Sequence, residues 1–114
     1  MQPKSPKLLV DISDAVSFIL ESTRNKTLED YRQDRQMRQA VERNFEIIGE
    51  AVNRLTRIDP AIASRISSTA QIIAFRNVLI HGYDLINDKE VWQVITNSLS
   101  KLQAEILSLL SAET

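Results

Sequence analysis

The chain has 114 residues, of which 43% are hydrophobic and 25% charged, with no cysteine, one histidine, and 14 basic residues set against 15 acidic ones. That length makes one compact domain with a sizeable core, residues 1–114, and argues against a second. Zero cysteines exclude disulfides and thiolate metal sites, the lone histidine argues against a protein zinc site, and a net charge of -1 excludes the bulk basicity of a non-specific nucleic-acid binder.

No apolar run approaches the roughly 20 residues that span a bilayer, and the N-terminal MQPKSPK lacks the apolar stretch of a signal peptide. A cytoplasmic protein with no membrane contact is expected. Two glycines, three prolines and no Asn-Gly or Asp-Gly dipeptide leave few hairpin signals, which predicts an all-α fold.

After a tail with Pro3 and Pro6, the residues Leu8, Leu9, Ile12, Ala15, Val16, Ile19 and Leu20 recur at helical spacing and predict a first helix. The polar stretch Glu21 to Lys26 interrupts it, and Thr27 with Asp30 has the spacing of a capping box opening a short turn. From Asp34 to about Arg57 a long second helix buries Met37, Ala40, Val41, Phe45, Ile48, Val52 and Leu55. Gly49 inside it costs about 1 kcal/mol relative to alanine, which points to a close approach by another backbone. Asn44 beside the stripe reads as a satisfied core polar group, with a contribution to a site as the alternative. Arg38, Glu42, Glu46, Glu50 and Arg54 stack along one side, either as a solvated salt-bridge column or as a charged docking strip.

Asp59-Pro60 starts a short helix to about Ile66, because an N-cap residue precedes proline at the first helical position. Ser68 with Gln71 predicts a further capping box and the next helix, and Asn87 with Glu90 another. From Lys89 the residues Val91, Ile95, Leu99, Leu102, Ile106 and Leu110 predict one last amphipathic helix to the C-terminus, with Trp92 packing at its start. Four main helices and one or two short ones, joined by short connections, predict an antiparallel, up-and-down four-helix bundle. There is no Gly-rich phosphate loop, no serine nucleophile elbow and no paired-Asp metal motif.

The stretch Gln71 to Asp88, QIIAFRNVLIHGYDLIND, gathers the rare residues: His81, Gly82 and Tyr83 follow a run of branched aliphatics. On a helical wheel Ile72, Phe75, Val78 and Leu79 form a core side, while Arg76, Asn77, His81 and Asp84 form a polar side interrupted by Ile73 and Ile80. Polar groups mixed with isoleucine suggest a partly dry surface, a pocket or a subunit contact. In an unbroken helix Arg76 and His81 point about 140 degrees apart. Either the helix loosens at Gly82 or a second copy of the chain completes the site. Asn77, four residues before His81, is placed to orient the imidazole.

Arg76, four residues, His81, Gly82, Tyr83 resembles the Arg, four to six residues, His, any residue, Tyr signature of HEPN domains. Together with Asn77 after the arginine and the upstream ERNFEIIGEA at Glu42 to Ala51, the chain resembles HepT-like toxins, the ribonuclease partners of minimal nucleotidyltransferase antitoxins. The resemblance spans Asp11 to the last helix. It implies a homodimeric HEPN-like bundle and a type II toxin that acts as an RNA endonuclease on mRNA or tRNA without metal or cofactor. Arg76 and His81 would be catalytic, and Asn77 and Tyr83 supporting. It also implies a cognate nucleotidyltransferase that neutralises the toxin, in part of the family by AMPylation of the matching tyrosine, here Tyr83.

The residues themselves suit that chemistry. Histidine moves a proton near neutral pH, and arginine binds phosphate oxygens bidentately. A plainer reading makes His81 a helix C-terminal histidine, Arg76 a surface cation and Tyr83 a packing residue. The rival function is a non-catalytic helical module that docks a nucleotidyltransferase or a nucleotide. A purely structural helical oligomer would explain the bundle but not the polar motif.

Overall fold

A computed structural model describes residues 1–112, all helix and connections: α1 (Ser5–Thr23), α2 (Leu28–Gln33), α3 (Arg35–Ile58), α4 (Pro60–Ala63), α5 (Thr69–His81), α6 (Asp88–Asn97) and α7 (Leu99–Ser111). Among the described residues there is no strand, and no helix is long and apolar enough to cross a membrane. The expected run of the last helix to the C-terminus includes residues 113 and 114, which lie outside the described ones.

The chain turns where its polar residues can cap. After α1, Asn25 takes a left-handed conformation (φ 61), which asparagine tolerates better than most residues. The Thr27 and Asp30 box forms in both directions: Asp30 N–H donates to Thr27 Oγ1 at 3.1 Å and Thr27 N–H to Asp30 Oδ2 at 2.8 Å. Asp34 caps α3 by accepting from Met37 N–H at 2.9 Å. Asp59 caps α4 by accepting from Ile62 N–H at 3.3 Å, and its other oxygen accepts from Ser5 Oγ at 2.6 Å and Gln2 N–H at 2.9 Å. One buried carboxylate thus fastens the N-terminal segment to the α3–α4 corner.

Three sequence expectations are corrected. The short helix from Pro60 stops at Ala63 rather than near Ile66, although Ile66 is buried. The Ser68–Gln71 box does not form, because the Ser68 side chain makes no capping bond. The single last helix is two, bent at Ser98 (φ -122, ψ -30). The bonds Ser98 N–H to Val94 O and Leu102 N–H to Ser98 O persist across the bend. Asn97 and Ser98 are poor helix interiors, since their side chains compete for the backbone.

The core is a row of helices. α1 packs on α3 and on α7, α3 packs on α5, and α2 packs on α6 through the buried Tyr31, whose ring lies 5.4 Å from that of Trp92. Burying a Leu or Ile side chain fully contributes about 1.5–3 kcal/mol. α1 supplies Leu9, Ile12, Val16 and Ile19 and α3 supplies Val41, Ile48, Val52 and Leu55, whereas α5 supplies Leu79 alone. The motif-bearing helix is therefore the least buried of the long helices. Asn44 is satisfied within its own helix, donating to Ala40 O at 2.8 Å.

Candidate functional site

α5 leans on α3 at two points. Phe75 meets Phe45 edge to face, with ring centres 5.1 Å apart, and one residue later the stem of Arg76 crosses α3 at Gly49. A Cβ on Gly49 would lie 2.2 Å from Arg76 Cβ, so only glycine lets the two helices come this close. The close approach expected at Gly49 is thus made by α5, and by the motif arginine itself.

Beyond the crossing the guanidinium is held. Arg76 Nη2 donates to Glu50 Oε2 at 2.6 Å and Nη1 to Asn77 Oδ1 at 2.8 Å, while buried Nε makes no hydrogen bond among the described residues. Glu50 also accepts from Arg54 Nε at 2.9 Å. The Arg54 hydrogen bond, and then the charges of Arg76, Arg54 and Arg57, hold the Glu50 carboxyl below the usual carboxylate range. Glu50 therefore stays ionised and keeps the arginine oriented.

The polar side of the wheel needs correcting in consequence. Arg76 faces α3 and is only 22% exposed, while Val78, assigned to the core, is exposed. Ile73 packs against the core, and Ile80 stays exposed. Asn77 spends its carbonyl oxygen on Arg76, and no hydrogen bond among the described residues joins it to His81. It orients the arginine instead of the imidazole.

His81 ends α5 on the outward side, exposed. Gly82 closes the helix, its N–H donating to Val78 O at 2.9 Å, and a 3-10 turn over Tyr83–Leu85 follows. The helix loosens only after His81, so the wide angle between Arg76 and His81 persists within one chain. Tyr83 is 81% and Leu85 71% exposed, and Val78 and Ile80, on the same helix as the histidine, are exposed as well. A cleft of about 410 Å³ separates α5 from α6 and α7, but none of Arg76, Asn77, His81 and Tyr83 lines it. It is not the place where the motif could act.

Glu50 and Arg54 belong to this site and were legible only as members of the charged column on α3. The column is partly drawn inward: Glu50 pairs with Arg54 and Arg76, Arg43 lies 3.8 Å from Glu46, and Arg38 turns to the carbonyls of Tyr31 and Arg32. The signal that could have marked Glu50 is its place next to Gly49. A carboxylate beside a helix crossing meets whatever the crossing helix carries.

The chain belongs to the ribonuclease HepT-like family, whose model matches residues 12–109. It is 29% identical over 111 residues to "Putative RNase TTE0752" of Caldanaerobacter subterraneus subsp. tengcongensis, covering 96% of this chain and 98% of that one. It is 31% identical over 105 residues to "Probable ribonuclease HepT" of Thermococcus cleftensis, covering 89% and 91%. A further relative is "Putative RNase MJ1380" of Methanocaldococcus jannaschii, 28% identical over 98 residues, covering 86% of this chain and 89% of that one. No solved structure matches the chain significantly.

Proposed function

We propose that the chain is a metal-independent RNA endonuclease and the toxin of a type II toxin–antitoxin pair, acting as a homodimer. The observation that carries this reading is the arginine held by Glu50 and Asn77, on the same helix as an exposed histidine. Its row of helices is read as an antiparallel HEPN bundle, and a second copy brings His81 of one chain towards Arg76 of the other. The exposed Val78, Ile80, Tyr83 and Leu85 support such a contact.

In the reaction neutral His81 takes the proton of the RNA 2'-hydroxyl as its oxygen attacks the adjacent phosphorus. Arg76 stabilises the charge gathering on the phosphoryl oxygens. The bond from phosphorus to the 5'-oxygen breaks, the leaving oxygen takes up a proton, and the products are a 2',3'-cyclic phosphate and a 5'-hydroxyl. Neutralisation falls to a partner nucleotidyltransferase that transfers AMP to Tyr83. The experiment is cleavage of mRNA and tRNA by the purified chain in EDTA, with analysis of the ends. Cyclic phosphate ends support the reading. No cleavage of any RNA, or cleavage only with magnesium, would favour the docking module, for which the same exposed patch would be the contact surface.

A further inference from the structure

Glu50 joins two arginines through one carboxylate: Arg76 on Oε2 at 2.6 Å and Arg54 on Oε1 at 2.9 Å. The two guanidiniums thus meet on the two oxygens of one carboxylate, one from each of two packed helices. We propose that Arg54 is a second phosphate-binding position, which takes the phosphate next to the scissile one while Arg76 takes the scissile phosphate itself. This rests on the ribonuclease reading and adds to it a substrate-binding residue on another helix.

The two arginines are equipped differently. Arg76 is packed into the notch at Gly49 and only 22% exposed, which suits a group that must not move during reaction. The Arg54 side chain is 60% exposed and uses only Nε on Glu50, so its two terminal nitrogens make no hydrogen bond among the described residues. They present a fork of the geometry that a phosphate accepts. An exposed pair between residues four apart on a helix contributes little to stability, so stability is a poor reason for this bridge. Arg57, exposed one turn further along α3, adds its charge to the same spot. Three cations around one carboxylate make a local positive site on a chain whose net charge is -1.

The test uses the full chain with His81→Ala, which is expected to bind RNA without cutting it, and a short fluorescein-labelled single-stranded RNA of mixed sequence. Affinity is measured over a salt series for this parent and for the parent carrying Arg54→Ala, Arg54→Lys or Arg32→Ala. Arg32 is exposed near the opposite end of α3 and controls for loss of one charge anywhere. Arg54→Ala is expected to weaken binding roughly tenfold. It should also lower the slope of log affinity against log salt by about 0.7, the value of one phosphate contact on a single strand. Arg54→Lys should restore the slope but only part of the affinity, and Arg32→Ala should change neither. Equal effects of Arg54→Ala and Arg32→Ala, or no effect of Arg54→Ala, overturn the second position and leave the ribonuclease reading standing. Failure of the parent to bind any RNA overturns both.

Discussion

Gly49 and Arg76 share one volume: where a side chain at position 49 would begin, Arg76 Cβ and Cγ already lie, 2.2 and 2.6 Å away. The glycine thus sets how far the arginine reaches, and Glu50, the next residue, receives it.

Gly49→Ala tests this directly. Alanine favours the helix by about 1 kcal/mol over glycine, yet the clash falls on the root of a side chain anchored in another helix, where overpacking costs about 1–3 kcal/mol. A net loss is expected, read as a melting temperature several degrees lower, with α5 displaced and RNA cleavage reduced. An unchanged or raised melting temperature would show that α5 gives way freely.

Two carboxylates predict opposite pH dependences. Asp59 is held below its usual range, first by the Ser5 hydroxyl and then by the Gln2 and Ile62 N–H groups. Its contribution is present above its ordinary value of about 3.9 and disappears as pH falls through the lower folded value. Glu42 is raised, first by burial and then by the charge of Asp88, so its contribution is present below about 4.3 and is lost as pH rises through the raised value. Asp59→Asn should therefore lower the melting temperature at pH 7 far more than at pH 3, whereas Glu42→Gln should raise it at pH 7 and leave it unchanged at pH 4. Melting curves at these pH values decide both.

Much of the fold is local and was legible for that reason. Thr27 with Asp30, and Asp59 before Pro60, each cap a helix within three residues, so their positions in the chain specify their partners. The family was legible from the spacing of Arg76, His81 and Tyr83, and the HepT-like match to residues 12–109 agrees. What periodicity could not give was the direction of Arg76. A wheel sorts residues by polarity and puts arginine outside, but a long aliphatic stem can run along a buried seam and bring its charge to a distant partner. That partner, Glu50, is 26 residues away in sequence. The bend at Ser98 was hidden for a different reason, because the apolar stripe from Val91 to Leu110 keeps its period across it.

The candidate catalytic pair should separate by role. His81 is exposed, so His81→Ala should leave the melting temperature unchanged while lowering the cleavage rate by about 100 to 10,000-fold, the usual value of a positioned proton-transfer group. Arg76→Ala should lower both RNA affinity and rate and also cost stability, since it empties the notch at Gly49 and leaves Glu50 with Arg54 alone. An His81→Ala chain that cuts at the parent rate would remove the histidine from the mechanism.

Homodimerisation through the motif-bearing side is the outcome expected from the proposed reading, given the unbroken helix and its exposed apolar groups. Sedimentation at micromolar concentration should show a dimer, and Ile80→Lys or Leu85→Lys should shift it towards monomer with loss of cleavage but retained helicity. A strict monomer that is fully active would require Arg76 and His81 of one chain to meet, which the continuous α5 opposes.

The proposed covalent control through Tyr83 can be tested directly, because the two tyrosines provide an internal control. Tyr83 is 81% exposed on the turn after Gly82, whereas Tyr31 is fully buried against Trp92, where burial raises its phenol and suppresses the nucleophilic phenolate. A partner nucleotidyltransferase supplied with ATP and magnesium should therefore place AMP on Tyr83 and none on Tyr31: the phenol oxygen attacks the α-phosphorus, the bond to the β-phosphate oxygen breaks, and pyrophosphate leaves. The added phosphodiester brings negative charge to the end of the motif helix. There it competes with RNA phosphate for the arginine, in the dimer for that of the neighbouring copy as well. Cleavage should fall without change in melting temperature, because an exposed side chain is modified in place. Intact mass and peptide mapping read the modification, and Tyr83→Phe should escape it while remaining folded. An unmodified Tyr83 in a complex that is nevertheless fully inhibited would reject covalent control and leave steric cover of the Val78, Ile80 and Leu85 patch by the partner as the mechanism.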